Sequence, residues 1–360
     1  MRARPSHMGP AVGERGAPTW LTPRLVRIAL ISAALSALSG ATYGYLVHDA
    51  LATGLLFGGG LGALLALLEG GVFHGVAGAG LRRAPFVVYF GVRAGAYVVL
   101  IVATLGLVVW LLNGPAALRA ISAVDILFTM LASVVANLGF AISDLLGPGV
   151  LLSFAAGRYH RPQREERAFL FIDLKGSTAL AERLGEAGFL RFLDAFIVDV
   201  SREIVDHGGE IHKYVGDEII ATWRLKPGRN DVGIVRAWAA ASGRLADRRA
   251  AYQREFGDGA EFRAALHAGF VMVGEIGSFK KEIALIGDAM NTAARMLDAC
   301  RALGRVALAS AALIDRLPAL PDGVELAPIA SLPLRGKAEA LALVALALAQ
   351  ETPRPLEAAI

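Results

Sequence analysis

Cysteine is almost absent from this sequence, with Cys300 alone among 360 residues. A single thiol excludes a disulfide framework within the chain and any zinc site built from several cysteines. Charged residues are scarce as well: they make up 19 % of the chain, against roughly 25 % in soluble domains. Because hydrophobic residues reach 55 %, the composition excludes a wholly soluble or disordered protein and indicates a membrane part.

Charged side chains are sparse in one region in particular. Residues 25–147 carry only nine charged side chains, whereas the density is ordinary from Arg158 onward. The composition therefore divides the chain into a basic cytoplasmic tail (1–24), a transmembrane block (25–147), a linker (148–166), a polar domain (167–350) and a short tail (351–360).

The transmembrane block contains four apolar segments of the length that a spanning helix needs, roughly 20 residues. They are Leu25–Val47, Leu51–Leu68, Phe86–Leu112 and Ala123–Leu146. We therefore expect an all-α bundle of about four transmembrane helices, in which the Gly58–Gly60 run favours close helix packing. Arg93, Asp125 and Asp144 lie in or beside these segments, either as functional groups or as interhelical pairs and interface residues.

Basic residues predict the orientation of the block. Cytoplasmic loops are enriched in lysine and arginine, and arginines cluster in the N-terminal tail, between the second and third segments, and after the fourth. With an even number of spans, these clusters place both termini and the polar domain in the cytoplasm. We expect a multi-pass protein of the cell inner (plasma) membrane, with the lipid bilayer as a partner. The clusters also explain the net charge of +4 without a nucleic-acid partner.

The polar domain alternates strand and helix patterns in the order βαββαββαβ. This order is typical of an α+β fold, and we expect helices on one face of a largely antiparallel sheet. Two aspartates follow strand patterns: Asp173 comes after FLFI, and Asp217 lies in the turn of a hairpin predicted over 210–223. Gly176 and Gly216 stand near them and keep backbone crowding low. Two carboxylates at neighbouring strand ends can hold two hard cations together with substrate phosphates.

Three further polar residues have a spacing that suits a ligand. Asn291 and Arg295 lie four residues apart on a predicted helix, where an amide and a guanidinium on one face can reach a ribose and a phosphate. Lys213 precedes Asp217 on a predicted strand. Considered alone, each of these residues is explained more simply as a turn residue or a solvated surface group than as a ligand contact.

Taken together, the motifs resemble the catalytic domain of class III nucleotidyl cyclases, of the membrane-anchored bacterial adenylate cyclase type. The resemblance is carried by FIDLKGST (171–178), KYVGD (213–217) and NTAAR (291–295), and it covers about Arg164 to Leu348. It implies an α+β cyclase domain with a ferredoxin-like or palm-type antiparallel sheet and helices.

The resemblance also implies a reaction, in which ATP becomes 3′,5′-cyclic AMP and pyrophosphate. The metal ligands would be Asp173 and Asp217, which hold two Mg or Mn ions. The catalytic residues would be Asn291, which orients the ribose, and Arg295, which stabilises charge on the α-phosphate.

Substrate binding would fall to four positions of the resemblance: Phe171, Lys213, Ala284 and Arg335. Arg335 matches a position that contacts the terminal phosphates. Lys213 stands where adenylate cyclases carry a lysine, a donor that suits the acceptor N1 of adenine and not the N1–H of guanine. Ala284 stands where many of them carry Asp or Thr, and its side chain cannot accept from the adenine amino group. Either a backbone carbonyl substitutes, or discrimination between the purines is weaker.

In this family the metal aspartates and the Lys/Asn/Arg set come from different subunits, so the resemblance implies a homodimer that binds ATP. Three alternatives remain. A guanylate cyclase is favoured by Ala284, and a membrane receptor with a catalytically inactive cyclase-like dimerisation domain is disfavoured by the intact metal and catalytic residues. A diguanylate cyclase is suggested only by YVGDE (214–218). That enzyme would have no role for Asn291 and Arg295.

The three basic clusters make a topological prediction. A reporter fused after Ile360 should behave as cytoplasmic, and one inserted within Asn113–Ala117 should behave as external. The basic clusters hold the N-terminal tail, the loop between the second and third segments and the C-terminal domain in the cytoplasm, so the loop between the third and fourth segments faces outward. Reporter activity in intact cells measures both positions. The opposite pattern would contradict the four-span arrangement with both termini inside.

Overall fold

The structure is a computed structural model that describes residues 23–73, 81, 84–116, 122–146, 157–225, 233–329 and 340–349. The chain divides into two compact units, and the division falls between Ile142 and Ser143. Each unit is described by itself.

The described residues of the N-terminal unit form four long helices. They are α1 (Pro23–His48), α2 (Leu51–Leu68, continued by a π-helical turn over Glu69–Phe73), α3 (Phe86–Asn113) and α4 (Ala123–Leu146). All four are long and apolar enough to cross a membrane. The bounds fall within a few residues of the predicted segments, so the expectation of four apolar helices is confirmed.

Glycines bring α1 and α2 into backbone contact. A Cβ atom added to Gly54 would lie 2.1 Å from the carbonyl oxygen of Gly40, and one added to Gly58 would lie 2.1 Å from that of Ser36. A Cβ atom on Gly60 would meet nothing within 4 Å. The Gly58–Gly60 run therefore contacts α1 most closely through Gly58, with Gly54 one turn away, whereas Gly60 faces away from α1.

Two polar clusters join the helices of this unit, one buried and one partly exposed. Arg93 of α3 forms an ion pair with Glu69, with 2.6 Å between Nη2 and Oε1, and both side chains are buried. Asp125 of α4 accepts a hydrogen bond from Tyr43 at 2.7 Å and pairs with His48 at 2.5 Å, both on α1. Arg93 and Asp125 are thus members of interhelical pairs. The side chain of Asp144 lies outside the described residues.

The C-terminal unit is built around one mixed sheet. Its strands are β1 (Gln163–Leu174), β2 (Glu210–Val215), β3 (Glu218–Arg224), β4 (Phe262–Ile276), β5 (Glu282–Ile286), β6 (Ala307–Ser310), β7 (Val324–Pro328) and β8 (Leu343–Leu348). Its helices are α5 (Ser177–Asp206), α6 (Ile234–Phe256), α7 (Asp288–Ala302) and the short α8 (Ala311–Ile314). The strand order is β2-β3-β1-β4-β6-β8-β7, with β5 paired to β4, and among the described neighbouring strands only β4 and β6 pair in parallel.

Helices cover both faces of this sheet, which corrects the expectation of helices on one face. Leu170 and Ile172 of β1 join a core formed with α5 and α6, whereas Phe169 and Phe171 join a second core formed with α7. The reason lies in β1 itself, because its central residues are apolar at successive positions and both faces must be buried.

The first strand also begins earlier than expected. Residues 163–166, predicted as linker, belong to β1. Glu165 and Arg167 are buried there, and they satisfy each other through an ion pair of 2.8 Å. Arg167 also donates to the hydroxyl of Tyr159 at 3.1 Å. Polar residues can enter a sheet in this way because their charges are paired.

The α1–α2 contact predicts opposite effects for one substitution at two positions. Gly60→Ala should leave stability unchanged or raise it, because alanine favours a helix over glycine by about 1 kcal/mol. Gly54→Ala should lower the melting temperature of the detergent-solubilised chain, because the new methyl group overlaps the Gly40 carbonyl and overpacking costs about 1–3 kcal/mol. Equal melting temperatures for the two variants would contradict this packing.

Candidate active site

Three carboxylates collect at the end of β1. Asp173 lies on the same face of the strand as Phe171, and the antiparallel register places it directly opposite Glu218 of β3. Residues opposite each other in this way have Cβ atoms about 5 Å apart. Asp217 precedes Glu218 in the hairpin turn, where Gly216 has a φ of 62° that favours glycine. The fold therefore brings Asp173 and Asp217 together, as the sequence predicted, and adds Glu218.

Negative charge is crowded at this strand end. Burial raises the pKa of Glu218, and the charges of Asp173, Asp217 and Asp298 raise that pKa further, to about 7. Asp298 lies on α7, so the helix contributes a fourth carboxylate. Like charges at such separations repel one another, and a cation would relieve the repulsion.

Two arginines now compensate part of this charge. Arg301 at the end of α7 donates from Nη2 to Oδ2 of Asp173 at 3.0 Å, and Arg263 of β4 approaches the same oxygen at 3.8 Å. The side chain of Arg301 is 64 % exposed, so this ion pair is open to solvent and to exchange for another cation.

The carboxylates fit a hard cation in their chemistry but do not enclose one. In the described part of the chain, no group of three or more His, Cys, Asp or Glu side chains is arranged to hold a metal ion. Magnesium is commonly bound by one or two carboxylates together with substrate phosphates. Asp173 and Asp217 are therefore suited to a metal whose remaining ligands come from a phosphate-bearing substrate.

Asn291 and Arg295 lie on α7, which the second core holds against the sheet. Ala293, Met296 and Cys300 form its buried face, and Asn291 is exposed to solvent. Among the described residues, no side-chain hydrogen bond or ion pair engages Asn291 or Arg295. Both side chains are therefore available to a ligand.

The same helix separates Asn291 from the carboxylates of its own chain. Arg301 touches Asp173, and Asn291 precedes Arg301 by ten positions on α7. At 1.5 Å per residue, that is about 15 Å along the helix axis. Arg295 is about 9 Å from Arg301 by the same measure. Within one chain, α7 thus holds Asn291 about three turns away from the residue that contacts Asp173.

Lys213 is engaged by a residue that the sequence did not single out. Its Nζ lies 2.5 Å from Oε1 of Glu282 on β5, and both side chains are partly exposed. The hydrogen bond from Lys213 lowers the pKa of Glu282, so this carboxylate is ionised at neutral pH. Ala284 follows two residues later on β5, opposite Gly274 of β4, and is 9 % exposed.

The two remaining predicted positions gain no support as ligand contacts. The ring of Phe171 is 3 % exposed and packs in the second core, so its position supports a packing role and not the expected substrate contact. Arg335 lies outside the described residues.

The sequence analysis did not identify five residues at the site: Glu218, Arg263, Glu282, Asp298 and Arg301. Glu218 follows Asp217 directly, and pairing the hairpin with β1 would have placed it opposite Asp173. Asp298 and Arg301 continue the helical face of Asn291 by further turns, so extending the helical spacing would have found them. Glu282 had no such signal, because only the fold brings β5 to β2.

Comparisons with known proteins assign the C-terminal unit to a family. The model of the family described as "Adenylate and Guanylate cyclase catalytic domain" matches residues 160–342, about half of the chain. Adenylate cyclase 2 of Rhizobium meliloti (strain 1021) is 36 % identical over 205 residues, which are 57 % of this chain and 56 % of that protein. Adenylate cyclase of Anabaena cylindrica is 27 % identical over 179 residues, 48 % of this chain and 35 % of that protein. The chain thus spans about half or less of the length of these curated relatives.

A solved structure shares the fold. The structure of a bacterial light-regulated adenylyl cyclase aligns with a TM-score of 0.51 and 20 % identity, covering 65 % of this chain and 67 % of that chain. The family match spans the strands and helices that carry Asp173, Asp217 and Asn291. The chain therefore belongs to the adenylate and guanylate cyclase catalytic-domain family, and its cyclase domain follows four helices apolar enough to cross a membrane.

Proposed function

We propose that the chain is a membrane-bound adenylate cyclase, which converts ATP to 3′,5′-cyclic AMP and pyrophosphate in the cytoplasm at the inner membrane. The observation that carries the proposal is the carboxylate cluster at the end of β1, in a chain of this family. Its crowded charge, seen in the raised pKa of Glu218, favours cations, and its open geometry leaves coordination positions to a triphosphate.

The residues divide the chemistry among them. Asp173 and Asp217 would hold two Mg or Mn ions together with the nucleotide phosphates. When bound, these ions supply Lewis acidity, which favours ionisation of the 3′-hydroxyl and neutralises the leaving pyrophosphate. Asn291 would hold the ribose so that its 3′-oxygen faces the α-phosphorus. Arg295 would donate hydrogen bonds to the α-phosphate as charge develops there.

The proposal places each site between two copies of the chain. Within one chain, α7 keeps Asn291 about 15 Å along its axis from the residue that touches Asp173. A second copy can bring its own Asn291 and Arg295 to the first copy's aspartates, and a C2 dimer then contains two equivalent sites.

An exposed apolar surface around β4 and β5 supports a second copy as the occupant. Large hydrophobic side chains on these strands and their connection are at least 43 % exposed: Phe270, Met272, Ile276, Phe279 and Ile286. Met272 and Ile286 are cross-strand partners, so the exposed side chains lie side by side. Contiguous apolar surface of this kind is typical of a protein interface.

Identification of the cyclic product tests the proposed activity. Membranes that contain the chain should form cyclic AMP from ATP with magnesium or manganese, and should form less cyclic GMP from GTP, because Lys213 offers a donor to N1 of adenine. Asp173→Asn, which keeps the side-chain size and removes the charge, should abolish the product. Preferential formation of cyclic GMP would make the chain a guanylate cyclase, and no product from either nucleotide would overturn the proposed function.

A further inference from the structure

The ion pair between Lys213 and Glu282 joins the edge strand β2 to the β4–β5 hairpin. Its Nζ–Oε1 distance is 2.5 Å, and the two side chains are 46 % and 34 % exposed. A pair this open to solvent stabilises a fold by at most about 1 kcal/mol. The pair therefore contributes little to holding the two strands together. Its donor and acceptor groups are better explained by contact with a ligand.

Glu282 lies beside the one position where the proposed base site lacks a polar group. Ala284 stands where many adenylate cyclases carry an acceptor for the adenine amino group, and its methyl group accepts nothing. Alternate residues of a strand share a face, so Glu282 and Ala284 point to the same side of β5, while Ile283 packs toward the second core. A longer side chain two residues away can thus supply the missing acceptor.

We propose that Glu282 selects adenine by accepting a hydrogen bond from its 6-amino group, while Lys213 donates to the neighbouring N1. This inference rests on the proposed adenylate cyclase function and names the residue that gives it base specificity.

The charges around the pair suit this role. Glu282 is ionised at neutral pH, because Lys213 lowers its pKa, and an ionised carboxylate only accepts hydrogen bonds. Lys280 also lowers the pKa of Glu282, so it reinforces the ionised form. His212, a further titratable group that acts on Glu282, is neutral, because burial and the charges of Lys213 and Arg167 lower its pKa to about 4. Lys213 and Glu282 therefore offer one donor and one acceptor with no net charge, which matches an uncharged base.

The order of donor and acceptor distinguishes the purines. Adenine presents a donor at C6 and an acceptor at N1, whereas guanine presents an acceptor at C6 and a donor at N1. With Lys213 at N1, guanine would place its 6-oxygen against the Glu282 carboxylate and its N1–H against an ammonium group. Both contacts are repulsive and leave polar groups unpaired, so GTP is rejected.

A comparison of two nucleotides separates direct recognition from an indirect effect. The substrates are ATP and purine riboside 5′-triphosphate, which keeps N1 and lacks the 6-amino group. For Glu282→Ala in the full-length chain, kcat/KM for ATP should fall about tenfold or more, as expected for loss of a hydrogen bond to a charged group. The value for purine riboside triphosphate should change less than twofold, because that nucleotide never made the bond.

Two further variants complete the experiment. Glu282→Gln keeps an acceptor oxygen and should retain more ATP activity than Glu282→Ala. Asp258→Ala removes another solvent-exposed carboxylate, paired with Arg183 at 2.9 Å, and should leave both nucleotides unaffected. Because the two nucleotides are compared on one variant, a folding defect would lower both values equally.

The outcomes distinguish this inference from the function on which it rests. Equal losses with both nucleotides would show that Glu282 acts only through Lys213 or through folding, and would overturn the inference. Unchanged ATP activity in Glu282→Ala would overturn it as well. A wild-type chain that forms no cyclic AMP would overturn the proposed function and the inference together. A wild-type chain that prefers GTP would also overturn the inference, because the proposed order of acceptor and donor rejects guanine.

Discussion

The length of helix α7 determines how far Asn291 lies from the residue that contacts Asp173 in the same chain. The second core fixes α7 to the sheet, its last turn touches Asp173 through Arg301, and its first turn carries Asn291 about 15 Å away along the axis. A packed helix cannot bend to bring its two ends together. On the proposed function, the chain therefore supplies the carboxylates for one site and Asn291 and Arg295 for another, and the exposed apolar surface around β4 and β5 is what a second copy would cover.

The carboxylate end of the site is held in a state that favours cations. The register of β1 and β3 forces Asp173 and Glu218 to face each other, and Asp217 and Asp298 add to the repulsion that raises the pKa of Glu218. Arg301 and Arg263 relieve part of that repulsion through contacts that are weak or open to solvent. Repulsion among these carboxylates lowers the local stability of the strand end and favours the binding of cations together with phosphates. Perturbed ionisable groups of this kind are common at functional sites.

Local sequence patterns predicted much of this architecture, but they could not predict contacts between segments that are distant in the sequence. The hairpin was predicted over 210–223 and is found over 210–224, because a Gly-Asp turn between two strand patterns is a strong local signal. The placement of all helices on one face was wrong, although the unbroken apolar run of β1 indicated burial on both faces. The pairs Lys213–Glu282 and Arg301–Asp173 could not be predicted, because strand order and helix packing alone bring these segments together.

Complementation between two inactive variants tests the shared site most directly. Asp173→Ala and Arg295→Ala should each abolish cyclic AMP formation, because both sites of either homodimer are damaged. If each site draws on two chains, a mixed dimer collects both lesions in one site and leaves the other intact. With random pairing and independent sites, co-expression should restore about a quarter of the wild-type activity. Persistent inactivity, with mixed dimers shown to form by affinity tags, would contradict a site shared between two copies of the chain.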